Sequence, residues 1–167
     1  RPSINLPVKR IPLRLNSFVY MKKFLTILCL VLLSSYSYSQ EVIPELETVT
    51  KDDLVYHQSS TEPFTGIVEW FHDNHRVGSR KNYIDGELDG LTELFHDNGQ
   101  LWVRQNYIDG ELNGLWEWFD RNGQLSSRTN YIYGVHDGLR EEFSVNGNLI
   151  RTMTFRNGEL VEENLNP

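Results

Sequence analysis

A 24-residue unit that occurs four times in succession is the feature that most constrains how this chain can fold. The unit is clearest from Gly90 to Asn113, and its copies follow one another without a gap. Four positions recur in one register: a glycine (Gly66, Gly90, Gly114, Gly138), a glutamate (Glu69, Glu93, Glu117, Glu141), a phenylalanine (Phe71, Phe95, Phe119, Phe143) and a second aromatic residue (Tyr83, Tyr107, Tyr131, Phe155). A constant period of this length is typical of repeat architectures, in which each unit packs on its neighbours.

Residues within each unit alternate with a period of two. In the second copy, Leu91, Glu93 and Phe95 have one parity, and Thr92 and Leu94 have the other. This alternation, rich in aromatic and branched residues, predicts β-strands. No helical period is visible in the repeats. We therefore predict an all-β fold, an elongated single antiparallel sheet of tandem β-hairpins.

Short glycine-containing turns connect the strands. Asn98-Gly99 lies between the two strands of the second copy, and Asp109-Gly110 joins that copy to the next. Both dipeptides favour tight turns with positive φ. His75 replaces the turn glycine in the first copy, and Tyr133 and His136 alter the last inter-unit connection. We expect those units to be less regular.

Two registers are possible for the Asn-Gly hairpin. A two-residue loop would set Phe95 opposite Trp102 and Glu93 opposite Arg104. A three-residue loop with glycine in the left-handed conformation would set Phe95 opposite Leu101. The second register pairs apolar with apolar residues in all four copies, so we prefer it.

The remaining segments flank the repeats, which occupy residues 63–163. Residues 40–62 are predicted to form an acidic leader and a capping half-repeat, because Phe64 occupies the position of Leu88 in a later copy and Leu54 opens a short strand-like run. Residues 164–167 form a tail.

A targeting segment is predicted to precede this domain. Met21 opens a segment with two lysines, an apolar run over 24–33, and small residues at Ser37 and Ser39. This is the layout of a helical secretory signal peptide over residues 21–39. The competing interpretation is a membrane anchor, for which the apolar run is short. Residues 1–20 are predicted to be a non-native upstream extension, and the protein is predicted to be exported to the periplasm, the cell surface or the medium.

Charge and cysteine content exclude several classes of function. Residues 40–167 hold 10 basic and 23 acidic residues, a formal net charge of −13. Such a surface repels nucleic acid and anionic lipid, so we expect no nucleic-acid partner and no membrane contact beyond the signal peptide. The charge serves either solubility or a basic protein partner. The single Cys29 lies in the signal segment, which leaves no disulfide or thiolate site in the mature chain.

The repeated motifs resemble those of a known family. The patterns Gly-Leu-x-Glu-x-Phe-x-x-Asn-Gly-x-Leu and Asn-Tyr-Ile-Asp-Gly-Glu-Leu-x-Gly are similar to the MORN-repeat variant, which occurs in bacterial proteins labelled as antitoxins of the YwqK family. The similarity covers roughly residues 63–163. The resemblance implies a β-hairpin array, a role in protein interaction or membrane association, and no catalytic residues.

Polar side chains in the repeats give little sign of chemistry. The glutamates recur beside Arg80, Arg104 and Arg128, and we interpret them as cross-strand pairs rather than as a cation site. A repeating ladder gives its carboxylates equal environments, which disfavours acid–base catalysis. The histidines do not have the spacing of a metal site. We predict no catalytic, cofactor-binding or metal-binding residue.

Four tryptophans are the candidate interaction surface, because three of them have the parity opposite to the repeated phenylalanines and Trp102 joins them in the preferred register. They are Trp70, Trp102, Trp116 and Trp118. They either form an exposed stripe or pack over their neighbours on a curled sheet. We predict an exported, non-enzymatic module that binds another protein or acts as a scaffold, antitoxin-like or immunity-like by resemblance. The alternative is an envelope or glycan-binding module that uses a stripe of tryptophan and tyrosine.

Overall fold

The computed structural model describes residues 40–166, and they are almost entirely β-structure, which confirms the predicted fold class. The thirteen strands are β1 (Val42–Pro44), β2 (Thr48–Lys51), β3 (Leu54–His57), β4 (Gly66–Phe71), β5 (Val77–Ile84), β6 (Glu87–Phe95), β7 (Leu101–Ile108), β8 (Glu111–Leu112), β9 (Gly114–Phe119), β10 (Leu125–Ile132), β11 (Val135–Phe143), β12 (Leu149–Arg156) and β13 (Glu159–Leu165). One 3₁₀ turn, Glu45–Glu47, interrupts them. The predicted extension, signal peptide and its helix lie outside the described residues. No helix in the described part of the chain has the length and apolarity to cross a lipid bilayer.

Eleven strands form one sheet, and the repeats supply nearly all of it. From β4 to β13 the order in space follows the order in sequence, with every neighbouring pair antiparallel. The short strand β8 pairs with β7 and is separated from β9 by Asn113, whereas β6 and β11 run through the equivalent position as continuous strands. The short connections predicted from the turn glycines therefore place each hairpin beside the next.

Each hairpin combines features of both registers considered above. Phe95 lies opposite Leu101, as preferred, and the equivalent pairs form in the other three copies. Glu93 nevertheless lies opposite Arg104, as the rejected register required. A β-bulge at Trp102 reconciles the two pairs, because it adds one residue to β7 between them. The same bulge recurs at Gly78, Ser126 and Ile150.

The N-terminal segment departs from a simple meander. β1 runs parallel to β4, with Val42 beside Ile67, so part of the leader lies in the sheet and covers its first edge. β3 pairs with β2 in a separate two-stranded sheet instead of extending the main one. Phe64 still takes the place of Leu88: the Gly86 N–H donates to the Phe64 carbonyl over 2.8 Å, as Gly110 does to Leu88 over 2.9 Å. The expected short strand therefore forms, but it pairs with the leader.

A small core lies where these N-terminal elements meet the first hairpin. Ile43, Phe64, Val68 and Tyr83 are buried together, and Val55 of β3 packs against them. Burial raises the pKa of the Tyr83 hydroxyl, with a smaller contribution from nearby Glu45. One end of one sheet face thus gains a cover, while later hairpins have none among residues 40–166.

The other face of the sheet carries an alternating ladder of glutamate and arginine. Its members, one per strand from β4 to β11 apart from the short β8, are Glu69, Arg80, Glu93, Arg104, Glu117, Arg128 and Glu141. Arg104 lies 3.5 Å from Glu93 and 3.4 Å from Glu117, and its guanidinium lies over the Phe119 ring. The interpretation of these glutamates as cross-strand pairs is confirmed by these contacts. The ladder ends at Thr152, which takes the arginine position opposite Glu141.

Hydrogen bonds join the tip of each hairpin to the next. The Asn74 side-chain amide donates to the Asp97 carbonyl and Asn98 donates to that of Arg121, each over 2.7 Å. His75 has φ of 63°, so it adopts the left-handed conformation that glycine takes in the other copies. The expectation of a less regular first unit is therefore wrong at this turn, because His75 adopts the positive φ that the turn requires.

The inter-unit turns all place two consecutive residues at positive φ. At Asp85-Gly86, Asp109-Gly110 and Asn157-Gly158 the first residue is one that tolerates this conformation. Tyr133 has φ of 45° and is 62% exposed, so it adopts the same conformation without burying its ring. A bulky side chain at this φ costs free energy that aspartate and asparagine largely avoid.

The first prediction concerns the charged ladder. Replacing Arg104 by methionine keeps its apolar stem but leaves Glu93 and Glu117 without the cation between them. We expect a loss of about 1 kcal/mol in the free energy of unfolding, since a shared cation in a network contributes more than an isolated exposed pair. Urea unfolding at neutral pH measures this. The control is Arg121→Met, because the Arg121–Asp97 pair is exposed on both sides. Equal stability of the two variants would contradict a stabilising ladder.

The second prediction concerns the last inter-unit turn. Tyr133→Asn relieves the unfavourable left-handed conformation and should raise the free energy of unfolding by about 0.5–1 kcal/mol. Asp109→Asn, at the equivalent turn, should change it little. Thermal and urea unfolding of both variants measures the difference. A destabilised Tyr133→Asn variant would show that the exposed ring stabilises the fold by more free energy than its backbone strain costs.

The third prediction concerns His136, which takes the position of Leu88 and Leu112 between the rings of Tyr131 and Phe155. Burial, and then the charge of Arg140, lower the pKa of His136 below its ordinary value of 6.5. The unfolded chain therefore takes up the proton first, so the stability should fall as the pH drops through about 6.5. Unfolding between pH 7.5 and 5.5 should show this decline, and His136→Leu should reduce it. An unchanged decline in His136→Leu would assign it to other groups.

Candidate functional site

The four tryptophans lie on the face of the sheet opposite the charged ladder, which we call the aromatic face. Trp70, Trp116 and Trp118 reach it through the period-two alternation of β4 and β9. Trp102 reaches it because it is the extra residue of a bulge, and its ring centre lies 5.9 Å from that of Trp118. The repeated tyrosines lie on this face and the repeated phenylalanines on the other, as the pairings of Tyr83 with Leu88 and of Phe95 with Leu101 show.

Seven rings form a continuous chain of contacts across the second, third and fourth hairpins. In order they are His96, Trp102, Trp118, Trp116, Tyr131, His136 and Phe155, with neighbouring centres 4.4–5.9 Å apart. Trp116 and Trp118 are stacked at 25°, and Trp102 meets Trp118 edge-on at 80°. Such offset and edge-to-face contacts stabilise one arrangement of the rings. We call this set the aromatic chain.

The rings pack on one another and remain accessible at the same time. Trp70 is 43% exposed, Trp102 41% and Trp118 37%, whereas Val103 between them is 1% exposed. Each of the two alternatives left open by the sequence is thus partly realised. The rings shield the sheet beneath them and present their outer sides to solvent, so an apolar surface persists that a partner would cover.

Some polar atoms on the aromatic face lack partners. The Trp116 indole N–H, the Arg140 Nε–H and the Thr92 hydroxyl are buried, and no described residue is hydrogen bonded to them. These three residues occupy the same register in successive copies. Unpaired buried polar groups cost free energy, so these three residues stabilise the fold less than they would with every polar atom hydrogen bonded.

The aromatic face ends in a charged cluster in the fourth copy, where Arg140 and Glu142 replace Trp116 and Trp118. Glu142 accepts hydrogen bonds from Arg140 over 2.8 Å and from Arg151 over 2.5 Å. Burial opposes ionisation of this carboxyl, but the two arginines outweigh it and hold the pKa of Glu142 below its ordinary value. The cluster was missed in the sequence, although the loss of two tryptophans at a fixed register was the available signal.

A shallow bay opens on the aromatic face between Trp70 and Trp102. Its volume is about 350 Å³. Gly78 and Leu94 form its floor, and Lys81 lies at its end, 3.4 Å from Glu45. Gly78 is the bulge residue of the first copy, and a Cβ there would overlap the Trp70 ring. The glycine therefore permits the tryptophan to lie flat against the strand.

The border of the sheet formed by the inter-unit turns is acidic. The connections over 84–90, 108–114 and 132–138 contain six carboxylates and no lysine or arginine. We call this border the acidic edge; its carboxylates are Asp85, Glu87, Asp89, Asp109, Glu111 and Asp137. Three adjacent negatively charged turns produce a local field that attracts cations and basic side chains.

Two equivalent histidines, His72 and His96, have main-chain partners instead of one another. His72 Nε2 lies 2.9 Å from the Phe95 carbonyl oxygen, and His96 Nε2 lies 3.2 Å from that of Phe119. Both contacts join one hairpin to the next. Within residues 40–166, no three histidine, cysteine, aspartate or glutamate side chains are grouped so that they could hold a metal ion.

Solved structures share only weak similarity with this chain. The crystal structure of TarM has 15% sequence identity and a TM-score of 0.38, over 87% of this chain and 26% of the other. A mutant of S. aureus TarM in complex with Fondaparinux, alpha-GlcNAc-glycerol and UDP has 13% identity and a TM-score of 0.36, over 86% of this chain and 26% of the other. The chain thus spans about a quarter of those proteins, and likeness at this level carries no functional argument. No curated protein sequence matches the chain.

A family profile gives a direct assignment of the repeats. The MORN repeat variant matches residues 88–109 and 112–133, two adjacent copies at the centre of the array. The first and fourth copies form hairpins with the same tip pairing and the same bulge. The chain is therefore a MORN-repeat protein, built from tandem copies of the MORN repeat variant.

Proposed function

We propose that this protein is an exported, non-enzymatic module that binds another protein through its aromatic face. The observation that carries the proposal is the aromatic chain, whose tryptophans Trp102 and Trp118 remain 41% and 37% exposed on a face that residues 40–166 leave uncovered beyond the first hairpin. Repeat arrays of this kind provide extended binding surfaces, because every unit adds the same area to one face.

The composition of the face favours a protein partner. Tryptophan, tyrosine and arginine are the residues enriched at the energetic centres of protein interfaces. Trp116, Tyr131 and Arg140 are adjacent on neighbouring strands, so residues of all three types lie together on this face. The acidic edge borders this surface and favours a basic partner by electrostatic complementarity.

The export component rests on the segment that begins at Met21. We infer that residues 21–39 direct secretion and are removed, which leaves the acidic repeat domain outside the cytoplasm. By resemblance to antitoxin-labelled relatives, such a protein would act as an immunity protein against a toxin met in the envelope. Determining the N-terminus of the secreted protein by mass spectrometry tests this part, and a chain retained with its first residues intact would overturn it.

The non-enzymatic component rests on the absence of a suitable site in the described part of the chain. The bay on the aromatic face is open, and the Glu–Arg ladder on the other face repeats nearly equal environments for each carboxylate. General acid–base chemistry requires groups with separated pKa values in one cleft. The repeated hairpins provide a surface instead.

Glycan binding is the second candidate. Half-exposed indole rings, such as those of Trp70 and Trp102, stack on the apolar faces of sugars, and the bay between them has room for one ring. In this case the same tryptophans would retain the protein on insoluble envelope polysaccharide. The two candidates are separated by whether the material retained is protein or polysaccharide.

The fourth prediction tests the aromatic face. The purified domain is immobilised, a partner is captured from envelope extract and identified, and its affinity is then measured with both proteins pure. Trp116→Ala and Trp118→Ala should each weaken binding by at least tenfold, since each truncation removes a large, partly exposed ring at the centre of the surface. Leu115→Ala is the matched control, because Leu115 lies between them in sequence, is 48% exposed and faces the other side.

The outcomes distinguish the candidates. Loss of the partner in both tryptophan variants, with Leu115→Ala unaffected, supports protein binding by the aromatic face. Retention on polysaccharide that is lost in the same variants supports the glycan-binding candidate. Equal binding by all three variants excludes the aromatic face, and circular dichroism confirms in each case that the variant keeps its β-structure.

A further inference from the structure

The bay between Trp70 and Trp102 has the properties of a binding slot with two aromatic walls. His72 packs edge-on against the Trp70 ring with centres 4.7 Å apart, and His96 lies 5.7 Å from that of Trp102. Each histidine is in turn held by a main-chain carbonyl of the next hairpin. A neighbouring histidine therefore holds each wall in place, and both tryptophans line the same bay together with His72.

The bay is open because the bulge residue at its floor is a glycine. Gly78 occupies the bulge position at which the other copies carry Trp102, Ser126 and Ile150. The absence of a side chain leaves Trp70 in place and keeps the bay open. Gly78 and the shielded Ser79, which is 5% exposed, place no long side chain in the bay.

The indole N–H groups of the two walls are donors without a partner among residues 40–166. The hydrogen bonds described around the two walls are made by His72 and His96, and none involves an indole N–H. The charged acceptor at the bay is the carboxylate of Glu45, which is paired with Lys81 and whose side chain is 45% exposed, so it would favour a basic side chain of the ligand. A complementary ligand therefore carries acceptors and few donors.

The free indole donors and the small number of acceptors separate two classes of ligand that stack on indole rings. A sugar brings one donor with nearly every hydroxyl, and those donors would find few acceptors here. Proline has a flat apolar ring, a carbonyl acceptor and no N–H. A proline-rich segment in the polyproline II conformation exposes carbonyls along its length and has little conformational entropy left to lose.

We propose that the bay binds a proline-rich segment of the partner in the polyproline II conformation, with prolines against Trp70 and Trp102 and the indole N–H groups donating to its carbonyls. The inference rests on the proposed protein-binding function and names the partner's chemistry. Trp70 and Trp102 lie three strand spacings apart, about 14 Å. At ~3.1 Å per residue, about five residues of polyproline II helix span this distance.

The charge of the domain specifies what flanks the prolines. Residues 40–167 carry a formal net charge of −13, with the acidic edge on the same sheet. Basic residues on either side of the proline run would be attracted to this field and would accelerate association at low salt. The ligand class is thus a basic, proline-rich peptide.

The fifth prediction uses synthetic probes and tryptophan fluorescence with the domain comprising residues 40–167. The test peptide is an oligoproline with lysines at both ends. The control peptide keeps the lysines and replaces the prolines by alternating glycine and serine, so it has equal charge but no polyproline II preference. The third probe is a soluble oligosaccharide of N-acetylglucosamine. We expect saturable binding of the oligoproline peptide and at least tenfold weaker binding of the other two.

Variants locate the binding at the bay. Trp70→Phe and Trp102→Phe keep an aromatic wall but remove its N–H, so each should weaken oligoproline binding by about fivefold, the value of one neutral hydrogen bond. Gly78→Ala displaces the Trp70 ring and should weaken it by at least as much. Ser126→Ala, at the same bulge position two hairpins away, is the control and should bind as the unmodified domain does. Circular dichroism confirms the fold of each variant.

Three outcomes would overturn the proposal. They are no preference for the oligoproline over the glycine–serine peptide, equal binding by Trp70→Phe, Trp102→Phe and Gly78→Ala, and Trp70-dependent binding of the oligosaccharide alone. The first two leave the broader protein-binding function intact if a partner captured from extract still requires Trp116 and Trp118. Failure of both experiments would rule out the proposed protein-binding function and the proline-rich ligand class together.

Discussion

The β-bulge beside every hairpin tip is the constraint on which the rest of the structure depends. The three-residue tip loop sets Phe95 opposite Leu101, whereas the charge ladder needs Glu93 opposite Arg104, and these pairs differ by one residue in register. A regular hairpin would satisfy one and expose the other, since a slip of one residue exchanges the two faces. The bulge absorbs the difference in each of the four copies. Apolar tips and charged rungs therefore share one face, and the other is left to the aromatic residues.

The bulge position also determines how the aromatic face varies along the array. It holds Gly78, Trp102, Ser126 and Ile150 in turn, while the neighbouring strand holds tryptophans in the first and third copies. A glycine beside Trp70 opens a bay, and a tryptophan at the next bulge forms the second wall. Identical backbones thus present different surfaces, because the repeat fixes the geometry and leaves this residue free to change. The function and ligand that we propose both follow from this local variation.

The unequal cover of the aromatic face separates the part that forms a core from the part that we propose binds a partner. At the first hairpin, Phe64 and Val55 bury Tyr83 and Val68 in a small core. Beyond it, the rings protect the sheet by packing on one another, as the 1% exposure of Val103 shows. Mutual packing preorganises the rings, so a partner would lose little side-chain entropy in covering them. The N-terminal hairpin stabilises one end of the array while the other hairpins stay available.

The sequence by itself determined the repeat, the strands, the tip pairing and the parity that gathers Trp70, Trp116 and Trp118 on one face, since these depend on local period and turn chemistry. The tolerance of His75 for positive φ, the parallel pairing of β1 with β4 and the separate β2–β3 sheet did not follow from it. Nor did the coexistence of two registers in one hairpin, because a bulge appears only when cross-strand pairs on both sides of it are known. Tertiary structure alone decided that Trp102 meets Trp118, that Gly78 opens the bay and that the buried indole donor of Trp116 is left unpaired. Those features depend on contacts between strands, which the alternation along a single strand does not encode.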